Sequence, residues 1–172
     1  KESRTSVKLT PEALREKETF RGDGYMRKQT SESVGLPPLS PDMPLPELLV
    51  PCGSEEAVYA AVGGGADAVY CGGRILNARM NAKNFDDEAM RRAISYCHMK
   101  GVKLYVTMNT LVYDRELREA AEYAEFLYSA GADGLIVADT GLCMLLREYL
   151  PDMELHASTQ LSAHNLDSAK QL

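Results

Sequence analysis

The sequence predicts an α/β fold: the N-terminal five βα units of an incomplete TIM-type (β/α) barrel, preceded by a disordered arm. Three observations predict it. From Glu47 onward, short apolar runs alternate with helix-length segments. Two pieces repeat two units apart, Gly65-Ala66-Asp67-Ala68-Val69-Tyr70 and Gly131-Ala132-Asp133-Gly134-Leu135-Ile136, each a helix stop feeding a strand. The strands read as continuous apolar runs, as expected where helices cover both faces of a parallel sheet. At 172 residues the chain can bury a real core, yet it falls short of the roughly 250 of a whole eight-fold barrel. A doubly wound sheet shows the same alternation. The first strand is not followed by G-x-G-x-x-G, which weighs against a dinucleotide-binding version.

The elements follow in order. Residues 1–46 hold few large apolar residues and end in a stretch from Gly35 to Pro46 with five prolines, which remove donors and block helix. A short helix fits around Pro11 to Phe20, with Thr10 as its cap; the rest reads as a disordered, Pro-rich tether. Residues 47–172 are the barrel part. Leu48-Leu49-Val50 is the first strand, and Ser54 caps a helix with Glu55 and Glu56 in its first turn, stopped at Gly63-Gly64-Gly65. Asp67 to Cys71 is the second strand, and a long loop leads to a helix over Asp86 to Lys100. Val102 to Thr107 is the third strand, Arg115 to Ala130 a helix, Gly134 to Ala138 the fourth strand, Gly141 to Leu150 a helix, and Glu154 to Ser158 the fifth strand. A last helix begins near Asn165. The opening residue Lys1 and the end at Leu172, inside a helix, suggest a processed start and a truncated barrel.

Composition narrows the class. A net charge of −6 lacks the broad basic footprint of a nucleic-acid binder, although a local basic groove remains compatible with RNA; no DNA partner is expected. No apolar stretch approaches a membrane span, so a cytoplasmic protein without a membrane partner is expected. Cys52, Cys71, Cys97 and Cys143 stand singly, without C-x-x-C, and read as buried thiols rather than a disulfide framework or a metal cluster.

Ligands of α/β folds bind at the carboxyl ends of the strands. After the second strand, Gly72 to Phe85 is too long for a routine connection and is rich in cations and amides. Arg74, Arg79 and Lys83 suit a carboxylate or phosphate, while Asn77, Asn81 and Asn84 both donate and accept. A solvated loop whose asparagines satisfy its own turns fits equally well. The third strand ends at Thr107-Met108-Asn109-Thr110, the fourth at Asp139-Thr140 and the fifth at Ser158-Thr159-Gln160. For Asn109 and Asp139, helix capping is an even rival to a site role. His156 inside the fifth strand fits a core position better than a site, and Cys52 and Cys71 end neighbouring strands at the mouth. There is no G-x-S-x-G elbow and no H-E-x-x-H pair.

Five ordered motifs bear a family likeness. Pro46-Glu47-Leu48-Leu49-Val50-Pro51-Cys52-Gly53, Gly65 to Gly73, Asn77-Ala78-Arg79 with Asn84-Phe85, Gly101-Val102-Lys103 leading to Thr107-Met108-Asn109-Thr110-Leu111, and His156-Ala157-Ser158-Thr159-Gln160 resemble the U32 peptidase (collagenase-like) family. The likeness runs from about Pro46 to the end. The Asn77-to-Ala82 loop and the His156-to-Gln160 strand are most similar to the subgroup that hydroxylates a cytidine of large-subunit ribosomal RNA. Cys52 stands where alanine is usual there, and Cys71 where leucine, isoleucine or alanine is.

The resemblance implies an RNA-modifying enzyme that uses prephenate and a 4Fe-4S cluster, with ribosomal RNA as partner and the cluster ligated beyond Leu172, so that this chain holds no cofactor itself. The substrate and anion site is then expected at Arg79, Asn81, Lys83, Asn84, Asn109, Asp139, His156, Ser158, Thr159 and Gln160, with Arg79 and Lys83 on an anion such as prephenate or phosphate. Two alternatives stand beside it: a collagenase-like peptidase, disfavoured by the missing hydrolytic motifs, and a non-catalytic truncated fragment. Of the enzyme readings, each assigns activity to the parent protein rather than to this stretch alone.

Overall fold

The computed structural model describes residues 46–78 and 84–170; the arm expected over 1–46, Pro46 excepted, and its short helix lie outside them. The described residues belong to one compact unit. Its strands are β1 (Leu49–Pro51), β2 (Ala68–Gly72), β3 (Lys103–Met108), β4 (Gly134–Val137) and β5 (Leu155–Ala157). Between them run helices α1 (Glu55–Gly63), α2 (Asp87–Met99), α3 (Leu117–Ala130) and α4 (Thr140–Tyr149), and a 3-10 turn at Thr159–Leu161 precedes a short α5 (Leu166–Ala169).

The five strands are parallel and lie in the order β1-β2-β3-β4-β5. Every crossover therefore steps one strand in the same direction. Because such crossovers are right-handed, constant steps put all the helices on one side of the sheet. A doubly wound sheet needs a reversal of strand order, and this one has none. The architecture is the barrel-type succession of βα units.

This arrangement corrects one expectation. Helices cover one face of the sheet, not both. On that face Val69, Leu104, Val106, Met108, Leu135 and Val137 pack against Met90, Ile94, Tyr123, Leu127, Leu142 and Leu146 in one core. Each such side chain contributes roughly 1.5–3 kcal/mol of transfer free energy on burial. The other face carries Tyr70, Lys103, Tyr105, Thr107, Ile136 and His156, placed there by the parallel register and the two-residue alternation.

Local chemistry sets the boundaries. Ser54 Oγ accepts from Ala57 N–H, Asp86 from Ala89 N–H and Asp139 from Leu142 N–H, so three helices start on side-chain caps worth about 1 kcal/mol each. Helix α3 has no such cap and starts at Leu117, two residues after the expected Arg115. The repeated Gly-Ala-Asp performs one task twice. Gly65 (φ +88°) and Gly131 (φ +93°) take the left-handed conformation that ends each helix. Two residues later, Asp67 accepts the N–H of Leu48 at 2.8 Å and Asp133 that of Leu104 at 2.7 Å, tying the start of each new strand to its predecessor. Among the described residues, no helix is long and apolar enough to cross a membrane.

Candidate functional site

A cavity of about 580 Å³ opens at the carboxyl ends of β1, β2 and β3. Its floor is the polar face of the sheet: Pro51, Tyr70, Gly72 and Thr107 alternate into it. Its walls are Gly53 after β1, Asn77, Ala78 and Asn84 from the β2–α2 loop, Asn109 after β3, and Thr159 and Gln160 after β5. Cys52 and Cys71 complete the lining, so among the described residues it contains amides, hydroxyls and thiols but no charged side chain.

The β2–α2 loop is held by fitted contacts. Asn77 is buried at 5% exposure. Its Nδ2 donates to Asn84 Oδ1 at 2.7 Å, and its Oδ1 accepts from Thr107 Oγ1 at 3.4 Å. Thr107 Oγ1 also lies 3.2 Å from the Cys71 carbonyl oxygen. The Phe85 N–H donates to the Gly72 carbonyl at 3.2 Å, so both ends of the loop meet at β2. Leu76, just before Asn77, has φ +55°, a strained conformation for a leucine that the surrounding contacts impose. The two glycines make room for this. A Cβ at Gly72 would overlap the Asn77 amide, and one at Gly73 would overlap the Tyr123 hydroxyl. That hydroxyl accepts the Arg74 N–H at 3.2 Å from α3.

The expected site residues separate into four groups. Arg79, Asn81 and Lys83 lie outside the described residues. Asn84, Asn109, Thr159 and Gln160 line the cavity together. Ser158 caps the 3-10 turn, accepting from Gln160 N–H at 3.2 Å. Asp139 and His156 stand elsewhere. Asp139 caps α4 through one carboxylate oxygen, and the other accepts the Val112 N–H at 3.3 Å, so its charge ties two loops. Capping, one of its two candidate roles, is what the structure displays.

His156 sits on the polar face of β5 over Gly134, its ring 4.5 Å from that of Tyr105 and its Nε2 3.1 Å from Glu154 Oε1, without hydrogen-bond alignment. Tyr105 donates to Glu47, which also faces Lys103 at 3.5 Å. Arg74 does not reach the cavity: it stacks over Tyr123 at 4.9 Å and pairs with Asp87 at 3.1 Å. The cavity-lining Tyr70 was hidden in an apolar run; counting the two-residue alternation back from Gly72 would have revealed it.

The cysteines here are not prepared for nucleophilic work. Burial pushes the Cys52 thiol up, and burial, with the nearby Cys52 and Cys97, pushes Cys71 up further. Cys97 on α2 is raised to about 11, chiefly by burial. Cys71 Sγ lies 3.9 Å from the Met90 thioether, an apolar neighbour rather than a base. A nucleophile needs the opposite environment. Among the described residues, no three His, Cys, Asp or Glu side chains converge where a metal ion could be held.

The model of Peptidase family U32 matches residues 53–172. An uncharacterized protease of Methanocaldococcus jannaschii is 40% identical over 128 residues, 74% of this chain and 31% of that protein. The 23S rRNA 5-hydroxycytidine C2501 synthase of Escherichia coli is 40% identical over 124 residues, 72% of this chain and 18% of that one. The tRNA hydroxylation protein P1 of Bacillus subtilis is 38% identical over 120 residues, 70% of this chain and 28% of that one. The chain thus spans a third or less of the length of these curated relatives. The solved structure of the U32 peptidase Mk0906 superposes with a TM-score of 0.57 at 16% identity, covering 81% of this chain and 59% of that one. It carries the same fold. With the strand-end motifs in place and the family model matched over most of the sequence, this chain belongs to peptidase family U32.

Proposed function

We propose that this chain forms the substrate-binding part of an RNA-hydroxylating enzyme that acts on a cytidine of large-subunit ribosomal RNA. The observation that carries the reading is the cavity lining. Asn77, Asn84, Asn109, Thr107 and Gln160 offer neutral donors and acceptors at the strand ends, and the thiols among them are held protonated. Such a surface reads the edge of a base, which is how proteins recognise an unpaired nucleotide. Peptide hydrolysis requires an activated nucleophile or water and a base to serve it. Among the described residues of the cavity there is neither.

Prephenate would serve as the small co-substrate, its carboxylates matched by Arg79 and Lys83 of the same loop. A 4Fe-4S cluster would be ligated by residues beyond Leu172. The likeness to the ribosomal RNA synthase supports the reading, while the likeness to a protease keeps proteolysis as its rival. The reading further implies a cytoplasmic enzyme.

The test is mass spectrometry of nucleosides from ribosomal and transfer RNA of a deletion strain and its parent. Loss of hydroxycytidine from ribosomal RNA is the expected result. Unchanged modification, together with cleavage of gelatin by the purified full-length protein, would establish the peptidase instead.

A further inference from the structure

Three asparagines stand around the cavity, and their hydrogen bonds assign them different work. Asn77 and Asn84 bond to each other, and Asn77 to Thr107, so they brace the loop against the sheet. Asn109 is bound at one end. Its Oδ1 accepts the Ala78 N–H at 3.1 Å, which fixes the orientation of the amide. Its Nδ2 has no partner among the described residues, and the side chain is half-buried in the cavity wall. An amide fixed this way turns its oxygen toward the loop and its two N–H donors toward whatever enters.

We propose that Asn109 is the specificity-determining residue of this cavity, donating through Nδ2 to acceptor atoms on the edge of a pyrimidine base. The proposal rests on the RNA reading above and gives it a chemical criterion. Cytosine places O2 and N3 side by side as acceptors, whereas uracil carries an N3–H donor between its two carbonyls. With Nδ2 set against ring N3, the amide therefore favours cytosine, whose N3 accepts, and opposes the uracil N3–H; against O2 alone it would not distinguish them. Gln160, on the far wall, makes no side-chain hydrogen bond among the described residues and can turn either end of its amide to the ligand. It adapts, whereas Asn109 selects. Leaving one polar group of a buried pair unmatched costs about 1–3 kcal/mol, or roughly ten- to hundredfold in affinity.

The informative substitution is Asn109→Asp. It keeps an oxygen for the Ala78 N–H, preserves shape, and replaces both donors by an acceptor. The full-length protein, parent and variant, is titrated with fluorescent oligocytidylate and oligouridylate, and each is also expressed in the deletion strain for nucleoside analysis. The parent should prefer oligocytidylate by about tenfold or more. N109D should lose that preference and the cellular hydroxycytidine, with an unchanged melting temperature.

If N109D proves unstable, Asn109→Leu, uncharged and of nearly the same shape, removes both donors and should show the same loss of preference. Parent-like preference and modification in a folded variant would overturn the role of Asn109 while leaving the RNA reading intact. A deletion strain with unchanged modification, and a parent protein that binds neither oligonucleotide, would overturn both.

Discussion

Gly72→Ala is the sharpest test of how the site is built. A Cβ at Gly72 falls on the Asn77 amide, with Asn77 Oδ1 only 3.0 Å away. Asn77 must move, yet it is 5% exposed and follows a leucine already in the left-handed region. Its displacement breaks the bonds to Asn84 and Thr107. Two hydrogen bonds at about 1 kcal/mol each and an overpacking cost of about 1–3 kcal/mol are offset by about 0.4–1 kcal/mol from the stiffer unfolded chain. The net is a destabilisation of about 2–4 kcal/mol, well beyond the ~0.5 kcal/mol of ordinary surface changes.

Urea unfolding followed by circular dichroism should show a midpoint lowered by about 1–2 M with an unchanged slope. Gly53→Ala is the internal control: it lines the same cavity, but no atom lies within 4 Å of its Cβ, so its midpoint should hold or rise slightly through the stiffer unfolded chain alone. A parent-like midpoint for Gly72→Ala, or equal losses for the two variants, would refute the steric argument.

Three further outcomes are expected. Asp133→Ala removes the acceptor of the Leu104 N–H at the start of a buried strand and should cost about 1–3 kcal/mol; Asp67→Ala, whose bond to Leu48 is exposed, should cost less in the same urea assay. Tyr123→Phe leaves the ring packing and deletes only the acceptor of the Arg74 N–H, for a loss of about 1 kcal/mol. Because burial raises the Tyr123 phenol to about 12, the parent should show no tyrosinate absorbance from it below pH 11. The buried thiols Cys52, Cys71 and Cys97 should resist alkylation at pH 8 until urea is added. Cys97, raised from 9.0 to about 11, keeps its proton in the folded state after the unfolded chain has released it. Stability therefore falls as pH rises from 9 towards 11, and equal stability at pH 8 and pH 11 would contradict this.

Much of the fold was legible because its punctuation is local. Ser54, Asp86 and Asp139 cap helices where a short polar side chain precedes acids or an apolar run, and Gly131 ends one where positive φ is required. Strand order was not legible, since alternating strands and helices do not say whether each crossover continues or reverses. Nor was the polar face of the sheet. Lys103 and Thr107 share a face of β3 by alternation, and only the register through β4 puts His156 on the same side.

The site was legible in part. Asn84, Asn109, Thr159 and Gln160 follow strand ends, where loops converge. Asp139 also follows a strand end, but both of its oxygens are spent on backbone N–H groups. Sequence spacing cannot tell a carboxylate that caps from one that binds.

The same ambiguity holds for the asparagines, and there the structure turns it into a measurable distinction. Asn77 and Asn84 contribute to the cavity by being bonded to each other, so disturbing them through Gly72 must lower stability and recognition together. Asn109 spends one end on the loop and keeps the other for the ligand, so N109D should lower recognition alone. Two substitutions at the edge of one cavity thus predict different pairs of results. If Gly72→Ala altered base preference without altering stability, or N109D altered stability without altering preference, brace and reader would have to exchange places. The geometry at Ala78 and Thr107 assigns them the other way.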